Sequence, residues 1–298
     1  MSAGSYVFFL HGFSSEGIPR IELSENLCLR PINNDDKAVL SLPRNISLYD
    51  RGMLLSGTHV LELRVSDDKD SDKMAYGVVY DAISALRLFK MGKIGTHYYS
   101  KKNNQPGIVG FFGPLNTTQI WYTTTLYKLK DEETESLKNF FTILRRVKRD
   151  NRVEFALRWF NSAYSMMART DILLNYVISL EALYLSGESE KGFRLRTYMT
   201  SFLGWGSKNI GSEIWNYIKK AYEIRGSIVH GNALLPNEIK LEEIGKVSIE
   251  YFLMKLEFYT RESIRKFIQL KAKNPSLDIS EMIERSLYDE SEKQKLRV

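Results

Sequence analysis

The chain has 298 residues, enough for two domains, and its 43% hydrophobic and 26% charged composition is that of a globular protein. A single cysteine, Cys28, excludes an internal disulfide and fits a reducing compartment. The net charge of +6 and a pI near 9.1 are compatible with a polyanionic partner but do not require one. The first ten residues lack a basic region, and no stretch reaches the roughly 18 apolar residues of a membrane span. No signal peptide, no membrane association and a cytoplasmic location are therefore expected.

In chain order, residues 6–13 are β-branched and aromatic and predict a strand turning at His11-Gly12. The run from Phe8 to Ser15 looks like the His-Gly loop of α/β-hydrolases, but the chain has no G-x-S-x-G nucleophile elbow. Residues 21–32 and 58–65 predict further strands, with Leu61, Leu63 and Val65 on one face and Glu62 and Arg64 on the other. The acidic run over 67–72 reads as a solvated loop before a helix N-terminus. Its spacing departs from a calcium loop, with Lys73 where glycine is needed and Val79 where glutamate is needed. A buried helix over 74–91 follows, with Gly92 as its stop, then strands over 94–99, 108–112 and 119–127.

Residues 132–148 predict a helix ending in Arg145, Arg146, Lys148, Arg149 and Arg152. These are cations at a helix C-terminus or, alternatively, phosphate contacts. From there strand signals fade. Helices are expected over 153–168, 171–185 and 193–202, over a fourth segment capped by Ser212 and running into Arg225, and over 238–270. A short charged helix starting at Ser276 closes the chain. The fold class is thus α+β: a strand-rich domain over 1–150, an all-α bundle over 151–272, and a charged helix over 273–298. The helix over 171–185 is apolar nearly all round, so Glu181 within it needs a partner, with Arg194, Arg196 and Arg225 as candidates and a structural ion pair as the favoured reading.

The segment from Tyr222 to Asn232 holds Arg225, four residues, then His230 and Gly231. By itself this is a helix end, with cations near the negative dipole and glycine beyond it. Set among Phe155-Ala156-Leu157-Arg158-Trp159-Phe160 and Leu180-Glu181-Ala182-Leu183, it resembles the HEPN domain, and most closely the Apea-like HEPN group. Residues 85–92 resemble part of the domain that often precedes it.

The resemblance implies a metal-independent endoribonuclease working as a homodimer, with no cofactor and a role in antiviral or stress defence. RNA brings its own nucleophile, the 2′-OH, so an acid–base pair and a cation suffice. An imidazole, with a pKa of about 6.5, fills either acid–base role. One histidine cannot act as acid and base at once, whereas two copies of His230 can, with Arg225 holding the phosphate. Ser227, Asn232 and Glu181 are supporting candidates, and Lys219 and Lys220 join Arg145, Arg146, Lys148 and Arg149 as nucleic-acid-binding candidates. Positions five apart lie about 140° apart round an ideal helix. Either the helix breaks at Gly226 or the two groups meet across the dimer. The alternative is a non-catalytic HEPN scaffold binding RNA or a protein, which predicts Arg225 held against Glu181.

Overall fold

The computed structural model describes residues 3–41, 57–66, 71–102, 108–111, 126–147, 151–185, 190–204, 208–231 and 235–296. The strand-rich half is organised on β1 (Ala3–His11), whose Tyr6, Val7, Phe8, Phe9 and Leu10 are all buried. An apolar run of this kind suits a strand covered on both faces. Around it lie β3 (Ile21–Ser24), β4 (Leu27–Pro31), β5 (His59–Ser66), β6 (Gly95–Lys102) and β7 (Ile108–Phe111). They form a six-stranded sheet in the order β3-β4-β5-β1-β6-β7, with every pair antiparallel. β1 pairs β5 in the register Tyr6 to Leu63 and Phe8 to Leu61, as the alternation over 58–65 requires.

A helix, α1 (Asn34–Ser41), follows β4, and the long helix α2 (Ser71–Phe89) packs on β5, with the Tyr6 hydroxyl 3.0 Å from Ser71 Oγ. At Gly12 the backbone has φ +74°, and a side chain there would run into the Lys93 carbonyl. That close approach lets β2 (Phe13–Ser15) lie parallel to β8 (Tyr127–Leu129). A 3-10 turn (Asp131–Glu133) leads into α3 (Thr134–Arg146).

The expected strand over 21–32 is a hairpin, because Glu25 and Asn26 turn the chain between β3 and β4. Most of the strand expected over 119–127 lies outside the described residues, as does the acidic run except for its last two residues, which begin α2.

The chain divides into two compact units, the first ending at Arg145 and the second beginning at Arg146. The second is a bundle of α4 (Asn151–Ala163), α5 (Arg169–Tyr184), α6 (Lys191–Leu203), α7 (Lys208–Val229) and α8 (Ile249–Lys273). The apolar-all-round helix is central: α5 packs against α4, α6, α7 and α8. Its Tyr184 hydroxyl bonds Ser263 Oγ on α8 at 2.8 Å within a cluster with Phe202 and Phe267.

The second half is not all-α. The helix expected over 238–270 starts only at Ile249. Residues before it form a hairpin, β9 (Glu238–Leu241) with β10 (Gly245–Ser248). The sequence carries the reason: Ile239 and Leu241 alternate with polar neighbours and are buried, Gly245 turns at φ +95°, and Ser248 then caps α8 by accepting from Tyr251 N–H. Nor does Ser212 cap α7, which begins four residues earlier. Ser212 Oγ donates instead to Glu243 in the hairpin turn at 2.7 Å. The charged C-terminus forms two short helices, α9 (Ile279–Ser286) and α10 (Glu290–Lys295), each capped by an aspartate, Asp278 and Asp289. Among the described residues no helix is long and apolar enough to cross a membrane.

Candidate functional site

α7 carries Arg225, Ser227 and, one residue past its end, His230. The helix runs unbroken through Gly226, and His230 N–H still donates to the Gly226 carbonyl at 3.0 Å. The break considered at Gly226 does not occur. A helical glycine with ordinary backbone angles breaks nothing by itself; it only costs propensity. Arg225 and His230 therefore project from different sides of α7, and among the described residues they do not contact each other.

Arg225 is half-buried. Its Nη2 lies 3.5 Å from Glu181 Oε2 on α5, with the two side chains 31% and 16% exposed. Of the three candidate partners, this is the one Glu181 takes. Arg194 instead pairs Glu284 at 3.0 Å, and Arg196 stacks on Phe193 and Trp215. The guanidinium also sits 5.8 Å from the centroid of the Tyr222 ring, one turn back along α7. Burial, and the Glu181 carboxylate beside it, push the Tyr222 hydroxyl above its ordinary pKa. The ring itself is set by α6, because Gly192 leaves room for it: a side chain on Gly192 would come within 2.7 Å of Tyr222 Cδ1. Glu181 of α5 and Tyr222 of α7 thus hold Arg225, and Gly192 of α6 seats the Tyr222 ring. Yet its Nε is buried with no hydrogen-bond partner among the described residues. The guanidinium has donors to spare.

His230 is exposed, as is Ser227. Two other histidines contrast with it: His11 and His59 are buried, and His59 is hydrogen-bonded through both ring nitrogens, to Ser15 Oγ at 2.9 Å and Thr58 Oγ1 at 2.7 Å. Burial holds the His59 pKa below its ordinary value.

The other candidate residues are dispersed. Lys219 pairs Glu242 at 2.6 Å and Lys220 pairs Glu223 at 3.1 Å, so both are engaged on the surface. Arg145 lies over the Phe141 ring in the first unit, and Arg146 opens the second. Asn232, Lys148 and Arg149 lie outside the described residues.

What sequence reading missed is a groove next to Glu181, although it had named Arg152 and Phe155 for other reasons. An open groove of about 420 Å³ runs between α4 and α5 and reaches the start of α6. Ile178 and Ala182 of α5 and Leu185 just past its end give it an apolar lining, and Phe155, Asn151, Arg152 and Lys191 complete it. An available signal was Phe155 itself, an aromatic on the outer face of α4. Among the described residues no three His, Cys, Asp or Glu side chains gather as a ligand set. Compared with protein-family models, curated proteins and solved structures, the chain matches none.

Proposed function

We propose that the protein is a HEPN-type, metal-independent endoribonuclease whose site is completed by a second copy of the chain. The observation that supports this most is the condition of Arg225. It is held in place, partly exposed, and left with unused donors. A phosphate reaches the exposed end of the guanidinium, not the buried Nε, and offers acceptors there in the planar arrangement a guanidinium prefers.

His230 is exposed one helical turn further on, on another side of α7. Two copies meeting at this helix end bring two imidazoles to one scissile phosphate. One His230 takes the proton from the ribose 2′-OH as that oxygen attacks phosphorus. The other gives a proton to the departing 5′-oxygen. The products are a 2′,3′-cyclic phosphate and a 5′-hydroxyl. Arg225 hydrogen-bonds the non-bridging oxygens as their charge builds.

The test is cleavage of RNA by purified protein in excess EDTA. Wild type is expected to cut and leave 2′,3′-cyclic phosphate ends, and His230→Ala to be slower by about 10²–10⁴-fold. A wild type that binds RNA without cutting it supports a second reading, a non-catalytic scaffold. The Arg225–Glu181 pair favours that reading, since a carboxylate 3.5 Å away already offsets much of the cation.

A further inference from the structure

The sheet face that carries Glu62 and Arg64 holds, over β3, β4 and β5, an open cavity of about 360 Å³, within the range of small-ligand sites. Strand register builds its floor. Cys28 on β4 stands opposite Glu22 on β3 and Glu62 on β5, so the three side chains form a row across three strands on one face. Both flanking carboxylates are already engaged: Glu22 pairs Arg20, and Glu62 accepts from Arg30 Nε at 2.6 Å. Cys28 itself is 3% exposed, and burial pushes its thiol pKa above the ordinary value, away from the reactive thiolate. The floor is thus a small, soft spot between closed ion pairs.

The rim keeps charge of both signs. Arg64 is exposed; its backbone N–H is tied to the Asn26 carbonyl in the β3-β4 turn at 2.8 Å, but its guanidinium has no partner among the described residues. Lys138 of α3 reaches the same cavity and has only Glu135, one turn away on its own helix, at 3.5 Å. Glu25, in the β3-β4 turn, also lines the cavity and has no cation beside it among the described residues. Three cations and three carboxylates line the cavity, so it is neutral as a whole while its unpaired groups carry both charges.

We infer that this cavity binds a small zwitterion of the α-amino-acid class. The carboxylate of the ligand meets Lys138 and the fork of Arg64, which takes both oxygens. Its ammonium meets Glu25, and the Ser24 hydroxyl and Asn26 amide offer further acceptors. Its side chain rests on the Cys28 floor. A simple anion brings like charge to Glu25, and a simple cation brings like charge to Arg64 and Lys138. A ligand with both signs satisfies both and leaves the site neutral. Binding involves no covalent step. Every residue of the cavity belongs to the first unit, so the inference does not use the reading of Arg225 and His230 in the second.

The experiment is isothermal titration calorimetry of the full chain with each of the common L-amino acids. The tightest binder is then compared with its N-acetyl derivative, which keeps only the carboxylate, and its methyl ester, which keeps only the ammonium. At least one amino acid is expected to bind, and each derivative to bind about ten-fold more weakly or worse. Arg64→Gln and Glu25→Gln are each expected to weaken the amino acid about ten-fold with little change in Tm, because both side chains are exposed. If no amino acid binds, the inference falls. If one binds both variants as tightly as wild type, it sits elsewhere and the inference falls. If the N-acetyl derivative or inorganic phosphate binds as tightly as the amino acid, the cavity takes any anion and the zwitterion is overturned.

Discussion

Arg30 and Arg225 are the same side chain under opposite conditions. Arg30, on β4, is 8% exposed and nearly saturated. It donates from Nη1 and Nη2 to both oxygens of Asp36 at 2.6 and 3.2 Å, and from Nε to Glu62 at 2.6 Å. Burial works to lower its pKa, but the bonds to Asp36 and Glu62 outweigh it, and the guanidinium is held above its ordinary value. Arg225 has one carboxylate at 3.5 Å and a buried Nε without a partner among the described residues. A saturated guanidinium fastens strands together and has little left to offer a ligand. An unsaturated one, part-exposed and with a single long ion pair, keeps donors at its outer end for an oxyanion. The orphaned Nε is not sufficient by itself, since Arg196 shares it while stacked between Phe193 and Trp215. Exposure and a free imidazole at the end of the same helix set Arg225 apart.

The comparison breaks most visibly on removal of each charge. Arg30→Met leaves Asp36 buried without its cation and is expected to cost about 3–5 kcal/mol of stability in urea denaturation. Arg225→Met is expected to cost less, about 1–2 kcal/mol, because the pair is longer and only part-buried, while abolishing RNA cleavage. Equal losses of stability would make Arg225 a second clamp and leave the nuclease reading without its cation.

A smaller effect tests how Arg225 is held. Gly192→Ala places a methyl 2.7 Å from Tyr222 Cδ1, so the ring on which the guanidinium rests must shift. Overpacking of this kind costs about 1–3 kcal/mol, against a propensity gain of about 1 kcal/mol from losing a helical glycine. The expected result is a modestly lower Tm with RNA cleavage reduced. Tyr222→Ala in the Gly192→Ala background removes the clash and recovers the stability lost to it.

Lys266 extends the comparison to a half-buried cation with no carboxylate partner among the described residues. It donates to the Phe202 carbonyl and lies 4.5 Å from that ring's centroid, and burial pushes its pKa down to about 8 from 10.5. The sign follows from linkage. Below pH 8 lysine is protonated in both states and the cost of burying the charge is borne in full. Between about 8 and 10.5 the unfolded chain holds the proton and the folded one does not, so stability rises with pH. Urea midpoints at pH 7.5 and 9.5 should therefore show Lys266→Met losing its advantage over wild type as pH rises. A gap independent of pH would mean that the ring and the carbonyl hold the charge as well as water does.

The elements legible in the sequence were those whose side chains repeat. The alternation over 58–65 gave β5 its faces, and the all-round apolar pattern over 171–185 marked α5 as the central helix. The hairpin of β9 and β10 was lost because two short alternating runs beside a long helical pattern read as its first turns. Gly245, at positive φ in the turn, was the plainest mark of the interruption. For the site, the need of Glu181 for a partner was visible, and Arg225 was among the three arginines within reach of that argument. The choice among them depends on which helices meet, and periodicity does not encode that. The groove was invisible for the same reason: Phe155, Ile178 and Lys191 come from three helices.

The smallest expected effect concerns Gly226, between the arginine and the histidine. Its backbone is ordinary helix, and nothing lies within 4 Å of where a Cβ would stand. Neither conformation nor packing in the single chain calls for glycine. Gly226→Ala should therefore raise stability by up to about 1 kcal/mol, by helix propensity and by a less mobile unfolded state. If cleavage is unchanged, the open space beside Arg225 is merely solvent. If the Tm rises while cleavage falls, something enters that space in the working state, either RNA or a second copy of α7. Single-stranded RNA affinity of the same variant decides between them, since a methyl that blocks RNA weakens binding directly, whereas one that blocks a second copy shifts the concentration at which dimers form.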